Sequence, residues 1–486
     1  MSVVTDDVRR QLTSLRTKLF YGLGSIAFGI KDNGFQTILL LFYNQVVGLP
    51  GQWVGGAIAI ALVFDAFLDP IIGQISDNLR TRWGRRHPFI YASALPVAVS
   101  YLLLWNPPMH WSHGALFIYL LVVAIVVRTF ITFYEIPSAA LAPELTLDYD
   151  QRTSFLSYRI FFAWYGGLTM LSLAYVVFLR PDATHKIGQL NDTGYSQYGI
   201  TAAIIMFVAI LVSALGTHKF IPYLRVPPQR RISIMQYLRE MFATLSNRAF
   251  VILIVAGVLF NLATGLIFAL NIYLLTYFWE LSNIQIFIVT LSTFLAVLIA
   301  FLIALPLSRR YGKKSAAIVL FAVGTVISAI PLVLRLAGFF PANGAPSLVP
   351  LLFVFSIVSA SMQIGSSILL VSMLADVVED SELKTGRRSE GLFFAGDSFM
   401  AKAVSGLGVF ASGFVLSFVH FPQDALPGHV APEIVRNLAL IYLVAVTGLY
   451  GIATLIVSFF PITRERHEEN LRRLAAHAAQ VSPPTL

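Results

Sequence analysis

Apolar residues in this chain gather into runs of about 20 to 30, each bounded by charged residues, and a run of that length is what a helix needs to cross the ~30 Å hydrocarbon core of a bilayer. The pattern predicts spans, numbered one to twelve in chain order, at 19–47, 51–77, 88–106, 114–143, 153–179, 198–224, 248–278, 284–307, 315–337, 346–375, 390–420 and 435–461. An all-α integral membrane protein with short loops, its outer surface covered by lipid, is therefore expected.

Composition agrees: of 486 residues 57% are hydrophobic and only 12% charged, too apolar a balance for a soluble protein. The net charge of +9 raises the question of a nucleic-acid partner, but the basic residues lie between apolar runs instead of forming a patch. They read as topology signals, and no nucleic-acid partner is expected. Arg9, Arg10, Arg16 and Lys18, then Arg80, Arg82, Arg85 and Arg86, then Arg309, Arg310, Lys313 and Lys314 fall on one side of the alternating spans; the other side keeps Arg180, Lys186, Arg335 and Arg436. By the positive-inside rule both termini face the cytoplasm of a cell (inner) membrane. With no cysteine, disulfides, thiolate metal sites and thiol catalysis are excluded. Met1 to Lys18 is polar, and the apolar run after it is too long for the core of a cleavable signal.

The loop after span two, Arg82-Trp83-Gly84-Arg85-Arg86, returns after span eight as Arg310-Tyr311-Gly312-Lys313-Lys314. Leu141-Ala142-Pro143-Glu144 and Leu374-Ala375-Asp376, after spans four and ten, repeat at a similar offset. Two six-span halves in parallel repeat make the major-facilitator plan, two pseudo-symmetric six-helix bundles with a binding site at mid-membrane between them. The expected organisation is a tail at 1–18, a first half at 19–224, a linker at 225–247, a second half at 248–461 and a tail at 462–486. In the linker, Ile234, Met235, Leu238, Met241, Phe242 and Leu245 share one helical face, so an interfacial helix is expected over Ile232 to Asn247. The tail from Thr463 reads either as a further cytoplasmic helix or as a solvated basic segment, ending in a disordered Ser482-Pro483-Pro484.

Within the spans, charge is expensive, roughly 2.5–3.5 kcal/mol per residue at mid-bilayer, and so marks function. Asp65 and Asp69 stand at i, i+4 on one face of span two, and Pro70 leaves the carbonyl of Ala66 without its helical partner. Two carboxylates and a freed carbonyl suit a small hard cation or a proton. Further ionisable residues fall in the spans at Lys31 and Asp32, at Arg128 and Glu135, at Arg159, and at Asp397 and Lys402. Arg128, Thr132 and Glu135 share a face of span four, so Arg128 has two readings, an intrahelical partner for Glu135 or a substrate contact; Asp397 is counted with the substrate residues. Asp77 at the end of span two is expected to pair with Arg85 and Arg86 as a gating latch; in the second half Asp376, Glu379 and Asp380 with Lys384, Arg387 and Arg388 read either as the matching latch or as a solvated charge run. Gly22-Leu-Gly24-Ser-Ile-Ala27 and Gly406-Leu-Gly408-Val-Phe-Ala411 fit a nucleotide-binding pattern but follow no strand, and close helix packing explains both. Asn191-Asp192-Thr193 is a glycosylation sequon with meaning only in a eukaryotic host.

These residues together resemble the glycoside–pentoside–hexuronide:cation symporters of the major facilitator superfamily: Lys31-Asp32, Asp65-Ala-Phe-Leu-Asp69-Pro70, Arg82-Trp83-Gly84-Arg85, Glu135-Ile136-Pro137, Ala375-Asp376-Val377-Val378 and Lys402. The resemblance implies a cation site at Asp65, Asp69 and Thr132, with Lys402 close by, and a sugar site faced by Lys31, Asp32, Glu135 and Arg159. Against the melibiose permease, the best-known member, the chain has Leu68 in place of a polar residue, Ala139 and Ser367 in place of tryptophans, and Glu135 in place of an aspartate.

The reading that follows is a secondary symporter, not an enzyme, importing a glycoside or related sugar by alternating access with Na+ or H+ as coupling ion. Asp65 and Asp69 would be the metal ligands if the ion is sodium. No cofactor and a monomer are expected. A sodium-dependent lysophospholipid transporter on the same scaffold is the alternative, favoured by an apolar cleft open to the bilayer.

Overall fold

Every apolar run becomes helix. The computed structural model describes residues 11–146, 149–181, 187–224, 235, 239, 247–385, 390–423 and 425–481. Among these, eleven helices are long and apolar enough to cross a membrane, from Gly51–Asn78 to Pro432–Ser458. The twelfth, span one, is helical from Leu15 to Val46 but in consecutive pieces, Leu15–Leu23, Ser25–Asn33, Gly34–Ile38, Leu39–Leu41 and Phe42–Val46, two of them π-helical. It closes at Gly48, whose φ of 82° only glycine adopts without strain, and Pro50 then caps span two. The remaining contact between extended segments among the described residues is an isolated bridge, Thr81 to Gly84.

Helix ends differ from the expected ones where polar chemistry extends them. Span one begins at Leu15, because the Ser14 hydroxyl accepts from the Thr17 N–H. Span six begins at Asp192, capped by Asn191, whose side chain accepts from the Gly194 N–H at 3.0 Å and donates to the Arg180 carbonyl at 2.9 Å. The sequon asparagine is therefore buried and engaged in a cap. Span ten runs on to Thr385, so Asp376, Glu379 and Asp380 stand on helix. After span twelve, Arg464–Val481 is a helix, the first of the two readings of the tail. The expected interfacial helix, residues 1–10, and the end from Ser482 lie outside the described residues, apart from Met235 and Arg239, which are helical; so do the side chains of Lys384, Arg387 and Arg388.

Two compact units can be distinguished. The first comprises Met1–Ile234 with Phe268–Phe287 and Val409–Val435; the second comprises Met235–Ile267, Ile288–Gly408 and Arg436–Leu486. In lipid, helices gain little by burying apolar surface against one another, so close approach through small residues does the packing. In the first unit a Cβ on Gly24 would lie 2.2 Å from the Tyr134 hydroxyl, one on Gly29 would strike the Ala163 carbonyl at 1.8 Å, and one on Gly413 would strike that of Gly51 at 2.1 Å. In the second, Gly265 and Gly408 bring their backbones together in the same way, a Cβ on Gly408 lying 2.6 Å from the Leu262 carbonyl. Gly22, Gly24 and Gly408, from the two false nucleotide motifs, are packing residues. Large apolar side chains point outward, among them Leu302, Val444 and Ile204, as a lipid solvent requires.

Candidate functional site

Span two and span four pack side by side in the first unit, and their facing polar residues form one buried cluster. The Thr132 hydroxyl lies 2.7 Å from Asp65 Oδ1 and 3.2 Å from Asp69 Oδ1, so the i, i+4 spacing does present both acids to one partner. Arg128 Nη1 donates to Asp65 Oδ2 at 3.2 Å, and its guanidinium lies over the Phe35 ring of span one, 4.8 Å from the centroid. Arg128, Asp65 and Thr132 are each at most 3% exposed. Arg128 thus reaches across to span two; the same-face pairing with Glu135 allowed by the sequence is not made.

Glu135 instead forms an ion pair with Arg159 of span five, and the guanidinium also donates to the Glu135 backbone carbonyl at 3.2 Å. On span one, Lys31 Nζ lies 3.6 Å from Asp32 Oδ1 and 4.3 Å from the Phe28 ring centroid, and Asp32 Oδ2 accepts from Gln36 Nε2 at 2.8 Å. Lys31 is buried, whereas the Asp32 side chain is 37% exposed. Lys402 and Asp397 both stand on span eleven, half-buried, in the second unit.

The loop after span two folds as a latch. Gly84 turns at φ 75°, Arg86 pairs with the Asp77 carboxylate and donates to the Ser76 hydroxyl at 2.7 Å, and Arg85 donates to the Asp77 carbonyl at 3.2 Å. Both arginines converge on Glu144 Oε1, Arg85 at 2.7 Å and Arg86 at 3.0 Å. Burial pushes the Glu144 carboxyl above the usual carboxylate range, against the pull of Arg86 and Arg85. Sequence reasoning used Glu144 as a repeat marker and missed its role as the hub; its place opposite Asp376 in the repeat was the available signal. In the second unit Gly312 turns at φ 80° and Lys313 pairs with Asp376, the corresponding geometry. The tail helix joins that latch: Arg466 Nη2 lies 3.2 Å from Asp380 Oδ1, and His467 Nδ1 lies 3.1 Å from Glu379 Oε2. Asp376, Glu379 and His467 converge closely enough to hold a metal ion, but the Lys313 ammonium already sits on the Asp376 oxygen, so a charge latch is the simpler account.

A further node carried no sequence signal. At the far end of the first unit, Gln45 donates to Asn44 Oδ1 at 2.8 Å and to the Pro422 carbonyl at 3.1 Å. Its Oε1 accepts from the Ala425 N–H at 3.0 Å and the Tyr277 hydroxyl at 3.3 Å, while Tyr273 donates to Asn44 Oδ1 at 2.9 Å. All these side chains are buried.

Residues 20–464 match the profile of a family described as MFS/sugar transport protein. The chain belongs to that family. It is a membrane transporter of the glycoside/cation symporter group that the motifs resemble, and not an enzyme. Among its relatives, the inner membrane symporter YicJ of Escherichia coli is 27% identical, over 90% of this chain and 88% of its own. The isoprimeverose transporter of Lactiplantibacillus pentosus is 25% identical over 84% and 81%. A sodium-dependent lysophosphatidylcholine symporter of Danio rerio is 24% identical over 96% and 89%. The inward-open xylose transporter XylE of Escherichia coli superposes with a TM-score of 0.62 at 15% identity, over 94% of this chain and 98% of that one, which establishes the major-facilitator fold.

Proposed function

We propose that this transporter is a cation-coupled symporter importing a glycoside or related sugar by alternating access, with both termini cytoplasmic and two six-span halves at 19–224 and 248–461. The observation that carries the reading is the buried Asp65–Thr132–Asp69 cluster on spans two and four, beside the Lys31, Asp32, Glu135 and Arg159 groups on spans one, four and five. The cluster supplies groups that bind an exchangeable cation; the second set supplies paired donors and acceptors of the kind that hydrogen-bond sugar hydroxyls. Isoprimeverose as the cargo named for one relative supports the sugar class. In the same reading Lys402 and Asp397 contribute from span eleven, and the Asp77–Arg85–Arg86 and Asp376 latches gate the cytoplasmic side.

The lysophosphatidylcholine relative favours a second reading, a lysolipid cargo on the same coupling machinery. Purified protein in proteoliposomes, given labelled glycosides or labelled lysophosphatidylcholine under imposed Na+ or H+ gradients, separates the two. Gradient-driven accumulation of a glycoside is expected. Accumulation of the lysolipid alone would overturn the sugar reading, and uptake indifferent to both gradients would overturn coupling.

A further inference from the structure

Between span nine, Lys313–Leu336, and span twelve, Pro432–Ser458, the second unit carries a groove of about 580 Å³. Ala322, Val326 and Val333 line one wall; Thr447, Gly451 and Thr454 line the other. Phe321 and Tyr450, both buried, join the two helices with ring centroids 4.8 Å apart. Val326 and Val333 are exposed, so the groove opens onto the bilayer. Its chemistry is apolar in spite of its threonines, because each hydroxyl is turned back onto its own helix. Thr325 donates to the Phe321 carbonyl at 2.8 Å, Thr447 to that of Leu443 at 2.6 Å and Thr454 to that of Tyr450 at 2.7 Å. Such walls offer nothing to a sugar or an ion and suit an alkyl chain.

Length narrows the occupant further. From Ala322 to Leu334 the wall runs ~18 Å at ~1.5 Å per residue, and one leaflet holds ~15 Å of hydrocarbon. It starts about 14 Å into span nine, near mid-bilayer, and ends at the last turn of that helix, which is the depth and position of one acyl chain. Gly451 is an independent sign. Gly29 and Gly408 let backbones touch, but a Cβ on Gly451 would meet nothing within 4 Å. A helix interior disfavours glycine, and since no neighbouring helix requires this one, its smallness widens the groove. A charge completes the pattern. Arg436 lies about three turns before Thr447 on the same face and is exposed at the end of span twelve toward which the groove runs. Arg335, at the adjoining end of span nine, is engaged by the Pro341 carbonyl and Asn343 Oδ1, each at 3.0 Å.

We propose that this groove binds a resident membrane phospholipid, one acyl chain against Gly451 and the phosphate on Arg436, in the leaflet opposite the Gly312 latch. It holds whichever cargo is carried, because no residue of the span-two cluster takes part. The test is native mass spectrometry of purified, delipidated full-length protein titrated with phosphatidylglycerol or with diacylglycerol of the same chains. Wild type is expected to bind the phospholipid at its tightest site about tenfold more strongly than the diacylglycerol, since a charge-assisted contact is lost with the phosphate. Arg436→Gln should erase that preference. Gly451→Leu, which fills the groove without touching a neighbour, should weaken both lipids by about tenfold or more, and Val333→Trp on the opposite wall is a second filling variant should the first not fold. Wild-type affinity in either folded filling variant overturns the proposal, as does a wild type indifferent to the phosphate. A filling variant that turns a dimer into a monomer with lipid binding unchanged would seat a second copy of the chain there instead.

Discussion

Gln45→Leu is the sharpest probe of how the far end of the first unit is held. The substitution keeps volume and burial but removes both ends of the amide. Tyr277 keeps its bond to the Ala425 carbonyl at 3.2 Å and Asn44 keeps Tyr273, while Pro422 is exposed and its carbonyl can turn to solvent, so the group stranded is the buried Ala425 N–H. A buried polar group left unsatisfied costs about 1–3 kcal/mol, and the closed arrangement loses about that much. Water can satisfy the N–H once the segments part, and each ~1.4 kcal/mol is tenfold, so the open population should rise by roughly fivefold or more. Amide hydrogen exchange followed by mass spectrometry reads this directly in the peptide containing Ala425. Tyr273→Phe, which loses a single side-chain bond, should raise exchange by less. Because the chain has no cysteine, a single reporter at Leu416 needs no background removal, and its labelling by a membrane-impermeant maleimide should rise in parallel. Unchanged exchange at Ala425 in a folded Gln45→Leu protein would show that the node does not hold this end shut.

Three other outcomes are expected. Asp69→Asn should abolish gradient-driven accumulation yet keep exchange of labelled for unlabelled cargo, measured in the same proteoliposomes; loss of exchange as well would move the coupling site elsewhere. Glu135→Gln leaves Arg159 buried without its counter-charge and should destabilise the protein by about 3–5 kcal/mol in denaturant unfolding, whereas a change under 1 kcal/mol would mean the pair is exposed in solution. Because the Glu144 carboxyl is held above its ordinary range, its contribution to folding stability is full below the ordinary carboxylate value and is lost as pH rises through the raised one, while its pairing with Arg85 and Arg86 needs the ionised form. Acidification should therefore open the latch without unfolding the protein, and Glu144→Gln should reproduce the acid state at neutral pH, read as faster exchange in the Arg82–Arg86 loop.

Span positions were legible because a bilayer imposes a one-dimensional rule: about 20 apolar residues in a row, with charge between. The major-facilitator fold followed from that rule and an internal repeat, since the return of the same charges around Gly84 and Gly312 is a local property of the sequence. Partner choice was a different matter. Arg128 and Glu135 share a helical face in the sequence, yet each pairs off its own helix, with Asp65 and Arg159, because a long side chain reaches as far sideways as along the axis and the rotation of one helix against another decides the nearer charge. The Gln45 node lay beyond sequence reasoning for the same reason: its partners at 273–277 and 422–425 are over 200 residues away, and neutral amides and tyrosines carry no charge pattern to announce them. Hydropathy along the chain determined which segments enter the membrane; only tertiary packing decided which of their polar groups meet.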